Sequence, residues 1–121
     1  MKYLICCMIL FSSLSNSIIF DFNKNSSINN WLVVDDVVMG GRSTGNFQLS
    51  KDGNGIFYGN VSLKNNGGFS SVRYRFEKLM LEKFKTIVLK IKGDGKNYQF
   101  RIKHKYSDYA SYITSFSSSG E

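Results

Sequence analysis

The sequence predicts an all-β domain, an antiparallel sandwich or barrel-like sheet, on the strength of three observations. Apolar residues recur at every second position in several short segments. The bends between those segments are rich in Gly, Asn and Asp, which adopt turn conformations at low cost. Aromatic residues make up 15% of the 121 residues and proline is absent; with the many Val, Ile and Thr residues, this composition suits a pleated, half-buried surface. A chain of this length holds one modest core.

The N-terminus is unlike the rest. Met1 and Lys2 give a positive start, residues 3–11 are apolar, and residues 12–17 are small and polar. That is the layout of a secretory leader, with cleavage expected after Ser17. The apolar run is too short for a permanent span. Mitochondrial import is disfavoured, because only Lys2 precedes Lys24 and an organelle presequence needs repeated arginines. Export to a periplasmic, secreted or membrane-associated location is therefore expected. Both cysteines, Cys6 and Cys7, lie inside the leader, so a cleaved product has no thiol chemistry.

Residues 18–30 form a polar, Asn-rich lead-in with little expected core content, and residues 31–121 form the domain. Strands are expected at 31–34, 44–51, 56–63, 69–76, 86–92, 98–105 and 109–116. Asp52-Gly53-Asn54-Gly55, Asn65-Asn66-Gly67-Gly68 and Gly93-Asp94-Gly95-Lys96 are turn signals, so consecutive strands are expected to run antiparallel. Residues 77–84 make either one helical turn or a connector.

Little catalytic chemistry is visible. His104 is the only histidine; alternation puts it in the interior-facing series with Phe100 and Ile102, and no nucleophile is spaced to use it. One histidine without mature cysteines cannot build a zinc site. Asp35, Asp36 and Asp94 lack the dense acidic spacing of a calcium loop. The simpler expectation is that Asp35 or Asp36 pairs with Arg42 or Arg73, or hydrogen-bonds the Gly40-Gly41 backbone. Neither Gly40-Gly41 nor Gly67-Gly68 is a phosphate loop or a dinucleotide fingerprint. No cofactor and no metal is expected.

The formal net charge is +7, which attracts anionic lipid, acidic protein or nucleic acid without specifying any chemistry. Lys90, Lys92, Arg101, Lys103 and Lys105 are expected to share the outer face of two neighbouring strands. Nucleic acid is not expected, because the aromatic residues fall mostly on the opposite face.

Three segments together resemble one family: Trp31 with Val34-Asp35-Asp36-Val37-Val38-Met39-Gly40-Gly41-Arg42-Ser43; Phe57-Tyr58-Gly59-Asn60-Val61-Ser62-Leu63 running into Asn65-Asn66-Gly67-Gly68-Phe69-Ser70-Ser71-Val72-Arg73; and Lys92-Gly93-Asp94-Gly95-Lys96-Asn97-Tyr98. Their order and spacing resemble the complex I intermediate-associated protein 30 family. The resemblance implies a galactose-binding-domain-like jelly roll. It also implies a non-enzymatic assembly factor with a protein partner, such as a membrane-complex subunit or assembly intermediate. Similar domains continue through further strands, so it implies a domain missing its last ones. The loop residues Asp35, Asp36, Met39, Gly40, Gly41, Arg42, Asn65, Asn66, Gly67, Gly68, Phe69, Arg73 and Asp94 become the expected structural cluster or partner surface. The alternative is an extracytoplasmic carbohydrate-binding module, with Trp31, Tyr98 and Tyr106 as candidates for stacking on a sugar ring.

Overall fold

A computed structural model describes residues 7–11, 16–77, 79, 80, 82–105 and 107–120, with side chains from residue 17 onward. The described chain forms β1 (Cys7–Phe11), β2 (Asn16–Phe20), β3 (Trp31–Asp35), β4 (Thr44–Leu49), β5 (Gly55–Asn60), β6 (Ser70–Tyr74), β7 (Thr86–Lys90), β8 (Asn97–Ile102) and β9 (Tyr112–Ser117). Two short 3-10 helices, Asp36–Met39 and Lys64–Asn66, sit in the connections. Every strand pair is antiparallel, so the all-β antiparallel expectation holds. The described residues of 77–84 form a connector with a turn at 82–83.

The strands sort into small sheets with orders β2-β1-β7, β3-β6, β4-β5 and β8-β9. Local alternation locates the strands, but partner choice departs from the expected succession of hairpins. Only β4-β5 and β8-β9 join strands that follow one another in the main body of the domain. β3 instead pairs with β6, matching Trp31 to Tyr74 and Asp35 to Ser70. This non-local pairing puts the aromatic residues of both strands on one face, where they bury each other. The basic residues are separated for the same reason: β7 pairs with β1 and β8 with β9. Lys90 and Lys92 therefore do not share a hydrogen-bonded sheet with Arg101, Lys103 and Lys105. β8 ends at Ile102, and in the bend that follows His104 is exposed rather than interior.

The core is an aromatic cluster around Trp31, which is 8% exposed. Its indole stacks on Tyr74 at 4.7 Å and on Phe47 at 5.2 Å, and meets Phe20 edge-on at 5.3 Å. Such ring pairs add about 0.5–1.5 kcal/mol each beyond their burial. Phe20, Phe22 and Ile28 also pack against Trp31, which corrects the expectation of little core content in residues 18–30. Phe20 closes β2, while Phe22 and Ile28 lie beyond it among polar residues that conceal their place in the core. Within the segment read as a leader, residues 7–11 form the middle strand of the β2-β1-β7 sheet. Residues 1–6 and 12–15 lie outside the described residues.

Candidate functional site

β3 delivers the chain to Asp36, where it turns through the 3-10 helix Asp36–Met39. The helix closes on Gly40 at φ 86°, a left-handed conformation that glycine adopts without steric cost. The backbone of Asp36 is held on both sides: its N–H donates to the Phe69 carbonyl at 3.2 Å, and its carbonyl accepts from the Gly41 N–H at 2.9 Å.

The Asp36 side chain is fully buried. Its Oδ1 accepts the Ser43 N–H at 2.8 Å. Its Oδ2 accepts the Ser43 hydroxyl at 2.5 Å, the Gly68 N–H at 2.6 Å and the Phe69 N–H at 3.2 Å. The Ser43 hydroxyl in turn accepts the Ser62 N–H at 2.9 Å. One carboxylate thus ties the loop after β3 to the loop before β6, directly at Gly68 and Phe69 and through Ser43 at Ser62. Burial pushes its pKa up, but the Ser43 hydroxyl and the N–H groups of Gly68, Ser43 and Phe69 outweigh that and hold it at about 2, below the usual 3.8.

Both glycine pairs make room for this carboxylate. A Cβ on Gly41 would lie 2.3 Å from Asp36 Cγ, and one on Gly67 would lie 2.4 Å from its Oδ2. Gly41→Ala is therefore expected to destabilise the domain by about 2 kcal/mol in urea denaturation, because a packed, hydrogen-bonded group has nowhere to move. At Gly40 nothing lies within 4 Å of an added Cβ, so Gly40→Ala is expected to cost only the backbone penalty of about 1 kcal/mol. Equal losses at the two positions would show that the close approach to Asp36 does not matter.

The expected ion pairs are not formed. Neither Asp35 nor Asp36 meets Arg42 or Arg73; both arginines are exposed, and Arg73 Nε–H donates to Ser71 at 3.2 Å. Backbone N–H groups compensate the buried charge without the desolvation of a guanidinium. Asp35 Oδ2 accepts the Gly45 N–H at 2.9 Å. Asn65 and Asn66 turn the second loop with φ of 56° and 59°. Ser43, the last residue of the first family-like loop segment, is the most connected partner of Asp36, a role the sequence does not single out. Its signal was a hydroxyl directly after the glycine pair and Arg42.

Asp94 is not part of this clip. It accepts the Tyr98 hydroxyl at 2.7 Å and the Lys96 N–H at 3.1 Å, fastening the turn between β7 and β8. Burial works against its ionisation, but these two donors and the Lys96 charge lower its pKa. Burial and the same hydrogen bond raise the pKa of Tyr98. Met39 is exposed on the clip's outer side, while Lys90, Lys92, Arg101, Lys103 and Lys105 are all exposed. Arg101 is anchored through two hydrogen bonds to Gln99.

Between β7 and the β8-β9 hairpin lies an open apolar trough of about 600 Å³. Ile87, Leu89, Ile91, Phe100, Ile102 and Phe116 line it, with Lys85, Tyr112 and Ile113 at its margin. Tyr112 and Ile113 are exposed. Two of the three aromatic residues considered for sugar stacking are not displayed for that purpose. Trp31 is buried in the core, Tyr98 is half-buried on Asp94, and Tyr106 lies outside the described residues. Among the described residues, no three His, Cys, Asp or Glu side chains come together as metal ligands would.

The chain is similar to a Drosophila melanogaster protein named complex I intermediate-associated protein 30, mitochondrial. The two are 24% identical over 111 residues, a match covering 78% of this chain and 38% of that protein. The chain therefore spans well under half the length of this relative. No solved structure matches it. The sequence profile of the complex I intermediate-associated protein 30 family matches residues 20–121, taking in the core aromatics, the Asp36 clip and the trough, and the chain belongs to that family.

Proposed function

We propose that this is a non-catalytic protein-interaction domain with an assembly role, associating with an intermediate of a membrane-bound complex as its Drosophila relative's name describes for that protein. The observation that carries the reading is the family match across residues 20–121, which includes every strand from β3 to β9. The apolar trough supplies a surface for such a partner. Its lining is mainly hydrophobic and includes Lys85, and Lys90 in β7, Lys92 just beyond it and Arg101 in β8 are exposed. This pattern fits an extended segment that combines apolar with acidic side chains. A jelly-roll strand order, a chaperone-like action and an exported, leader-cleaved product belong to the same proposal. The carbohydrate reading has no comparable observation behind it.

The test is co-migration of the tagged full chain with assembly intermediates of complex I on native gels. The wild-type chain is expected to co-migrate, and the double variant Tyr112→Asp with Ile113→Asp is expected to lose most of that association. Both side chains are exposed, so the variant is expected to melt like the wild type. Absence of the wild-type chain from every intermediate would contradict the proposal.

A further inference from the structure

Two apolar tips leave the outer side of the Asp36 clip. Val37, Val38 and Met39 follow Asp36 directly, and Leu63 follows Ser62, whose N–H is bound to Ser43. Val38 is 74% exposed and Leu63 81% exposed, with Val37 and Met39 nearly as open. Arg42 and Lys64 stand exposed beside the two tips. No acidic residue occurs between positions 37 and 42 or between 61 and 69, and Asp35 and Asp36, which precede the first tip, are half-buried and buried.

We propose that these two tips form a membrane-contact knuckle that inserts Val37, Val38, Met39 and Leu63 among the headgroups of an anionic bilayer while Arg42 and Lys64 pair with lipid phosphates. The shape favours a bilayer over a protein groove. Consecutive apolar residues on a short 3-10 turn point outward in several directions, as insertion into a fluid interface allows and a single complementary pocket does not. Apolar side chains flanked by cations are the composition of interfacial anchors, and the overall charge of +7 adds long-range attraction. The clip fixes both loops from below through Asp36 and Ser43, so little ordering remains to oppose insertion. The knuckle shares no residue with the trough, so the two surfaces are separable by mutation.

The experiment is vesicle flotation of the full 121-residue chain with phosphatidylcholine alone and with about one-third phosphatidylserine, at low salt and at about 0.5 M salt. The wild type is expected to float with the anionic vesicles and to be weakened by salt. Val38→Asp with Met39→Asp is expected to weaken binding at least roughly tenfold while leaving the thermal melt unchanged, because both positions are exposed. Arg42→Gln and Lys64→Gln are each expected to weaken binding to anionic vesicles by about fivefold. A wild type that stays with the soluble fraction overturns the proposal, including the case in which the knuckle variant instead loses a protein partner. A knuckle variant that floats like the wild type also overturns it, as would follow if the apolar residues 3–11 carried the binding.

Discussion

Asp36→Ala is expected to lower the melting temperature by ~10 °C or more, because the substitution takes the acceptor from the N–H groups of Ser43, Gly68 and Phe69, of which Ser43 is buried and Phe69 half-buried. Asp36→Asn is expected to do no better. An amide has one oxygen, and its NH2 would face N–H donors at the position now held by Oδ2. The pH dependence carries the same signature. The Asp36 pKa is about 2 in the fold against 3.8 in the unfolded chain. The group's contribution is therefore fully present above about pH 4 and is lost as the pH falls through about 2. A melt of the wild type against pH is expected to show this acid limb, and the Asp36→Ala variant a shallower one. Parallel acid limbs in the two proteins would mean that the carboxylate does not hold the loops.

Trp31→Ala is expected to cost about 3 kcal/mol, at the lower end of large aromatic truncations, because two effects oppose each other. The substitution removes the centre of the aromatic cluster, with its contacts to Phe20, Phe22, Phe47 and Tyr74. It also removes an indole N–H that is buried without a hydrogen-bond partner among the described residues, an arrangement that costs on the order of 1–3 kcal/mol. Trp31→Phe separates the terms: it keeps a ring and discards the N–H, so its stability is expected to stay within about 1 kcal/mol of the wild type. Urea denaturation followed by circular dichroism measures both variants. A large loss in Trp31→Phe would mean that ring volume, rather than the stranded N–H, decides the balance.

The legible parts of this fold were those written in local spacing. Phe47 and Leu49 alternate with exposed partners in β4, as Tyr98, Phe100 and Ile102 do in β8, and period-two alternation reports such strands whatever they pair with. Pairing itself was less legible. Nothing near Trp31 announces that its strand joins β6 rather than β4, because that choice is made by aromatic contacts between residues far apart in sequence. The expected shared basic face fails for this reason, since β7 and β8 follow one another in the chain but pair with β1 and β9 instead. The 18–30 segment hid Phe20, Phe22 and Ile28 among asparagines and serines.

The candidate site was legible as a set of residues and illegible as a mechanism. Asp36 and the two glycine pairs stood out together, but an arginine partner was the obvious expectation for an aspartate in a loop. The actual partners are mainly backbone N–H groups, which have no signature in a sequence. The glycines did carry a trace of them, since Gly41 and Gly67 both sit where a Cβ would strike the carboxylate. Val37, Val38 and Met39 carried another, as an apolar run in a loop whose fastening residue is already buried.

Amide hydrogen exchange at Gly68 tests most directly whether a buried carboxylate organises these loops. Gly68 is exposed and belongs to no strand, so only the 2.6 Å bond from its N–H to Asp36 protects it. At neutral pH the wild type is expected to show slow exchange at Gly68 and Ser43, and the Asp36→Ala variant is expected to show fast exchange there, with the Gln48 amide, in a hydrogen-bonded position opposite Ile56 in the β4-β5 pair, still protected. Fast exchange at Gly68 in the wild type, or equal protection in both proteins, would contradict the account.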